Sequence, residues 1–104
     1  MREQYGRRVF HTEGPPTVDN VLGAHMALQA EGYPPPTILR LTGEALTELR
    51  ASMLDDPSIL ADEVWYGFGH TFRGMLMVKE TEPGMPAWCV MLETWTEAHE
   101  MVLP

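Results

Sequence analysis

Cys89 is the only thiol in the chain, and four histidines, His11, His25, His70 and His99, are the only imidazoles. A cysteine nucleophile acts as its thiolate, which needs a neighbouring base and a polar, accessible setting. Cys89 stands between Trp88 and Val90 in an apolar strand-like run, so the expectation is a buried, inert thiol. None of the histidines stands at a metal-ligand spacing from another His, Cys or carboxylate, and no metal is expected. His70, in Gly67-Phe68-Gly69-His70-Thr71-Phe72, is the histidine best placed for acid–base work, and a small enzyme using His70 with a carboxylate is one reading. His11-Thr12-Glu13 is a polar run that matches no site. His25 falls on the apolar side of a predicted helix and reads as a hydrogen-bonded core histidine.

The remaining chemistry is thinner. Asp55-Asp56 is better used in capping a helical turn than as an acid pair, because Pro57 follows at the first helical position. Gly67-x-Gly69 is too short for a phosphate loop and no lysine follows it, and no serine sits in a nucleophile elbow. No cofactor is expected, and binding readings rank above the enzyme.

Whatever these residues do, they are positioned around Trp65 to Trp95, which holds all three tryptophans and four of the eight methionines. Aromatic and β-branched runs bounded by Pro and Gly predict two strands, 72–80 and 87–95, joined by the turn Thr81-Glu82-Pro83-Gly84-Met85-Pro86 as a hairpin. Val64-Trp65-Tyr66 enters this region and Gly67 to His70 forms a turn or bulge before it. Upstream, Tyr5 to His11 reads as one short strand. Thr17 is placed to cap a helix over 18–31, with Val18, Val21, Ala24, His25 and Leu28 at helical spacing and Gly32 just past its end. Pro34-Pro35-Pro36 must be extended and leads into a strand at 37–41. Thr42 caps a second helix whose stripe is Ala45, Leu46, Leu49 and Met53, with Glu44, Glu48 and Ala51 facing away. Asp56 caps a further helical turn over 58–62. The fold class that follows is α+β: two helices packed on a small, mostly antiparallel sheet with a C-terminal β-hairpin, in a single domain over 1–104.

The net charge of −8 argues against direct nucleic-acid binding, which draws its affinity from Lys and Arg. No apolar run approaches the roughly 20 residues of a membrane helix. No apolar segment follows the basic residues of the first ten positions, so neither a membrane nor a secretory signal is expected. One cysteine fits a reducing compartment, and the expected location is cytoplasmic, or a virion. Residues 44–63 carry Glu44, Glu48, Asp55, Asp56, Asp62 and Glu63 against Arg50 alone, whereas residues 1–10 carry Arg2, Arg7 and Arg8 against Glu3. Such a face is either a solvated surface or an offer to a basic partner. Met75, Met77, Met85, Trp88 and Met91 give the hairpin apolar character on both faces. Two helices cover only one face of a sheet, which leaves the second for a partner or another copy of the chain.

The order Leu41-Thr42-Gly43-Glu44-Ala45-Leu46-Thr47-Glu48-Leu49, a proline-containing connection, then a strand-turn-strand unit with Glu82-Pro83-Gly84, resembles small accessory proteins encoded by bacteriophages, over roughly residues 38–95. The resemblance implies a viral or mobile-element origin and carries over no functional residue. The expectation is a non-enzymatic protein-interaction protein. As a structural or assembly subunit it would self-associate through Met75, Met77, Met85, Trp88 and Met91. As an inhibitor it would hold a basic host surface with Glu44, Glu48, Asp55 and Asp56.

Overall fold

The computed structural model describes residues 2–5, 8–59 and 67–92, with side chains from Val9 onward. Eight elements follow one another: β1 (Arg2–Tyr5), β2 (Arg8–His11), α1 (Val18–Ala30), β3 (Ile38–Leu41), α2 (Gly43–Leu54), β4 (Thr71–Phe72), β5 (Met75–Lys79) and β6 (Trp88–Met91). The strands form one sheet in the order β1-β2-β6-β3-β5-β4. Only β3 and β5 pair in parallel, so the sheet is mostly antiparallel, and both helices share a core with it. The chain is an α+β domain with two helices on one sheet.

Both helices start where a threonine can satisfy a free backbone N–H. Thr17 Oγ1 accepts from the Asn20 N–H at 3.2 Å, and Thr42 Oγ1 from the Ala45 N–H at 3.1 Å. The Val18 N–H, another orphan of the first turn, donates to Ser52 Oγ at 3.0 Å, which ties the start of α1 to the end of α2. α1 ends at Ala30 with Glu31 as its C-cap, and Gly32 after it takes the left-handed conformation with φ at 96°. Val18, Val21, Ala24 and Leu28 of α1 and Ala45, Leu49 and Met53 of α2 face the sheet.

Sheet residues alternate against them. Val9, Leu39, Leu41, Met75, Met77, Trp88, Val90 and Leu92 lie on the helix side with Phe72. Phe10, Ile38, Cys89 and Met91 form a second buried cluster on the opposite face, with Val78 and Met85 packed against it. In β6 this gives both faces of the strand a buried apolar surface, in line with the apolar character expected on both.

The strand pairing departs from expectation in two places. The predicted hairpin between 72–80 and 87–95 is not a pair of neighbours, because β3 lies between β5 and β6 and bonds to both. The segment 80–87 therefore spans a strand. The run 72–80 also reverses inside itself: Arg73 and Gly74, with φ at 51° and 84°, make a two-residue turn that pairs Phe72 with Met75. Likewise the single strand expected over 5–11 is divided, β1 ending at Tyr5 and β2 pairing back on it from Arg8. The segment Val64-Trp65-Tyr66, residues 60–62 of the helical turn expected over 58–62 and everything after Leu92 lie outside the described residues.

Candidate functional site

Charge divides the described surface along the same line as the layers. The loop before α1, the two helices and the segment to Ile59 carry Glu13, Asp19, Glu31, Glu44, Glu48, Asp55 and Asp56 against Arg50 alone, seven carboxylates to one guanidinium, a net −6. All but the half-buried Asp56 are exposed. The other described side chains carry Arg40, Arg73 and Lys79 against Glu80 and Glu82, a net +1. The helices form one layer on one side of the sheet, and Asp19, Asp55 and Asp56 line one groove of it. Met26 and Leu54, 66% and 70% exposed, are large apolar side chains on the same two helices.

Two grooves open in this layer. The first, of about 400 Å³, lies between the start of α1 and the end of α2 and is lined by Asp19, Ser52, Asp55, Asp56 and Pro57, among others. Two of its polar groups serve the fold, while Asp19 and Asp55 stand exposed in it. Ser52 accepts from Val18, and Asp56 Oδ1 accepts from the Ser58 hydroxyl at 2.7 Å and the Ser58 N–H at 2.8 Å. Those bonds from Ser58 hold the Asp56 carboxyl below the usual carboxylate value. Asp56 thus holds the turn at 56–59 through Ser58.

The second groove, of about 310 Å³, runs between α1 and the segment His11 to Gly14. Gly23, Ala24 and Ala27 form its helical wall, Glu13 and Asp19 stand exposed on its rim, and His11 lies at its base, only 8% exposed. The rim is fixed from beneath. The Trp88 indole N–H donates to the Gly14 carbonyl at 2.9 Å, and Asn20 Nδ2 donates to the Pro15 carbonyl at 2.9 Å.

Burial pushes the His11 imidazole below its ordinary value of 6.5, against the opposing pull of Glu13 and Glu31. The sign of the consequence is fixed. The unfolded chain takes up a proton near pH 6.5 and the folded chain resists it, so stability is full above that pH and declines as pH falls below it. Urea midpoints at pH 7.5 and 5.5 should differ more for the wild type than for His11→Gln, the surface carboxylates staying ionised throughout. Equal pH sensitivity in the two proteins would remove His11 as its source.

The predicted site residues are sorted sharply by this structure. Met75, Met77 and Met91 are fully buried and Trp88 is 2% exposed, so the interface expected from them is corrected: they build the two cores and offer no contact surface. Met85 is half-buried against the second core, covering the face that the sequence left bare. Glu44, Glu48 and Asp55 are exposed together on the helical layer, as expected. Cys89 is completely buried, its Sγ at 3.8 Å from Met91 Sδ. His70 is exposed in the turn before β4, its backbone carbonyl accepting from the Met77 N–H at 2.8 Å. Among the described residues no group of three or more His, Cys, Asp or Glu could hold a metal ion, and no helix is long and apolar enough to cross a membrane.

The groove at His11 is absent from the sequence reading, which saw only a polar run. The signal that could have found it is the small-residue stripe Gly23, Ala24 and Ala27 on one flank of a helix otherwise rich in larger residues. No protein-family model, curated protein or solved structure matches this chain, and its function is read from its own geometry.

Proposed function

We propose that this chain is a non-enzymatic interaction protein that holds a basic protein surface against its acidic helical layer. The observation that carries the reading is the charge division: seven carboxylates to one guanidinium on the helical side, and a net +1 on the remaining described side chains. Complementary charge raises the rate of encounter and selects the partner. Met26 and Leu54 supply apolar contact among the carboxylates, in the manner of anchors within a polar surround. A nucleic-acid-binding surface of a host protein has the required chemistry, since its Lys and Arg are arranged to meet phosphates that carboxylates can replace. The bacteriophage origin implied by the resemblance accords with an inhibitor of that kind. The assembly-subunit reading stands behind it, because Met75, Met77, Trp88 and Met91 are enclosed within the chain.

The test reverses charge without touching the core. Glu44 and Glu48 are exposed one helical turn apart on α2. Glu44→Lys with Glu48→Lys should slow association with an immobilised arginine-rich nucleic-acid-binding domain by about tenfold at low salt. It should also flatten the salt dependence, because the screening length is about 8 Å at physiological ionic strength. Association by the double variant at the wild-type rate in low salt would overturn the reading.

A further inference from the structure

We infer that the turn after β5 binds a calcium ion, with Glu80 and Glu82 as its carboxylate ligands. The inference lies outside the acidic-surface reading. It concerns the face of the sheet away from the helices, and neither rests on the other.

Glu80 is the one buried carboxylate among the described side chains, 2% exposed. Met75 and Met77 point to the helices, so by alternation Val78 and Glu80 fall on the opposite face, with Ile38 and Arg40 of β3 beside them. The Glu80 N–H donates to the Leu41 carbonyl at 3.0 Å, which fixes the side chain at its base. Its two oxygens are placed differently. Oε2 accepts from the Glu82 N–H at 3.0 Å and lies 4.0 Å from an Arg40 nitrogen. Oε1 is buried with no hydrogen-bond partner. A metal-ligating carboxylate stands in this way, one oxygen held by outer hydrogen bonds and the other kept for the ion.

A buried acceptor is rarely left unpaired, and a bound water or ion is the usual reason. Charge selects the ion. The half-buried Glu82 stands two residues on, its own Oε2 enclosed. Two carboxylates against the single guanidinium of Arg40 leave a net −1 in an enclosed turn, which a neutral water does not offset. Lys79, the next cation, is exposed and by alternation on the other face. Oxygen donors select a hard cation. Calcium accepts carboxylates, backbone carbonyls and water in flexible geometry, and Thr81, Pro83 and Gly84 are exposed around the two carboxylates. Magnesium demands a near-ideal octahedron and dehydrates reluctantly, so a partly enclosed turn favours calcium over it. The helical layer gives no such signal. Asp19 and Asp55 are exposed to water, and Asp56 is taken up by Ser58.

The experiment titrates calcium into the chelator-treated full chain at constant ionic strength, following amide chemical shifts and the melting temperature. Binding should saturate with a Kd of about 1 mM, with shifts centred on residues 79–84 and Arg40 and a raised melting temperature. Glu80→Gln keeps the shape and removes the charge, and should weaken calcium by about tenfold or more. Glu82→Gln should weaken it less. Arg40→Met removes the competing cation and should tighten it severalfold, calcium restoring part of the melting temperature that this variant loses. Unchanged affinity in Glu80→Gln, shifts centred on Asp19, Asp55 and Asp56, or no shift at 79–84 by about 10 mM calcium would overturn the site. Should Glu80→Gln fail to fold, unchanged affinity in both Glu82→Gln and Arg40→Met overturns it equally. Magnesium binding more tightly than calcium would overturn the choice of ion. Glu44→Lys with Glu48→Lys should leave the calcium shifts as in wild type. Their loss in that variant would move the ion to the helical layer and overturn the site at Glu80.

Discussion

Arg40→Met is expected to lower the unfolding free energy by about 3 kcal/mol, and Glu80→Leu added to it should restore most of that loss. The Glu80 side chain is 2% exposed, at the point where the chain leaves β5. Its Oε2 accepts from the Glu82 N–H at 3.0 Å and lies 4.0 Å from an Arg40 nitrogen, while Oε1 is buried with no hydrogen-bond partner. A carboxylate so placed depends on the nearby guanidinium for its charge balance. Removing one member of a buried pair leaves an uncompensated charge, which typically costs about 3–5 kcal/mol. The lower end applies here, because Arg40 is 16% exposed and the contact is long. Replacing both members with apolar residues removes the orphan charge as well as the attraction, so the double variant should resemble wild type. Urea unfolding of the single and double variants at neutral pH measures both steps. A single variant as stable as wild type would show that water, and not Arg40, balances Glu80.

The helices were legible because their signals are local. Thr17 and Thr42 each stand before a run with apolar residues at helical spacing, and each hydroxyl takes up the N–H three residues on. The layer that covers one face of the sheet, and so the acidic surface on its outside, follows from those two helices. Strand partners were not legible, because pairing is decided by residues far apart in sequence. Nothing in 72–92 announces that Ile38 to Leu41 will insert between its two strands. The reversal at Arg73-Gly74 was hidden for a different reason. Two-residue turns of this kind are normally marked by Asn-Gly or Asp-Gly, and Arg73 at φ of 51° is a costly substitute. Missing it placed Phe72 opposite in face to Met75, whereas the turn puts both against the helices.

The same strand register bears on function. A continuous strand over 72–80 sets methionines on a surplus apolar face that needs a partner to cover it. In the structure Met75 and Met77 point into the helix-side core, and Met91 is enclosed in the second cluster together with Phe10, Ile38 and Cys89. Met85, carried on the segment 80–87, packs on that second cluster from the chain itself. The acidic residues escaped the error because exposed charge on a helix is settled by a 3.6-residue period, not by strand register. The groove at His11 was beyond reach for the same reason that pairing was. It needs β2, the loop after it and the flank of α1 brought together, and the indole of Trp88 reaching back 74 residues to hold the loop.

Leu49→Asp should abolish cooperative folding, one residue away from a substitution that leaves the fold intact. Leu49 is fully buried in the middle of α2, in the cluster that joins both helices to the sheet. Truncating a buried leucine typically costs about 2–5 kcal/mol, and an aspartate there adds the burial of a charge. Arg50, the next residue, is exposed and offers no compensation in the core. The sum approaches the about 5–15 kcal/mol that holds a typical domain together. Glu48 precedes Leu49 by about 100° of helical rotation and is exposed, so Glu48→Lys changes the charge of the surface and little of the packing. The pair therefore separates fold from surface. Near-ultraviolet circular dichroism and thermal melting should show a lost transition for Leu49→Asp and a wild-type one for Glu44→Lys with Glu48→Lys. Lost binding in the lysine variant then belongs to charge alone. A cooperative transition in Leu49→Asp would mean that α2 does not pack on the sheet through this face, and the acidic layer would have no fixed geometry to present.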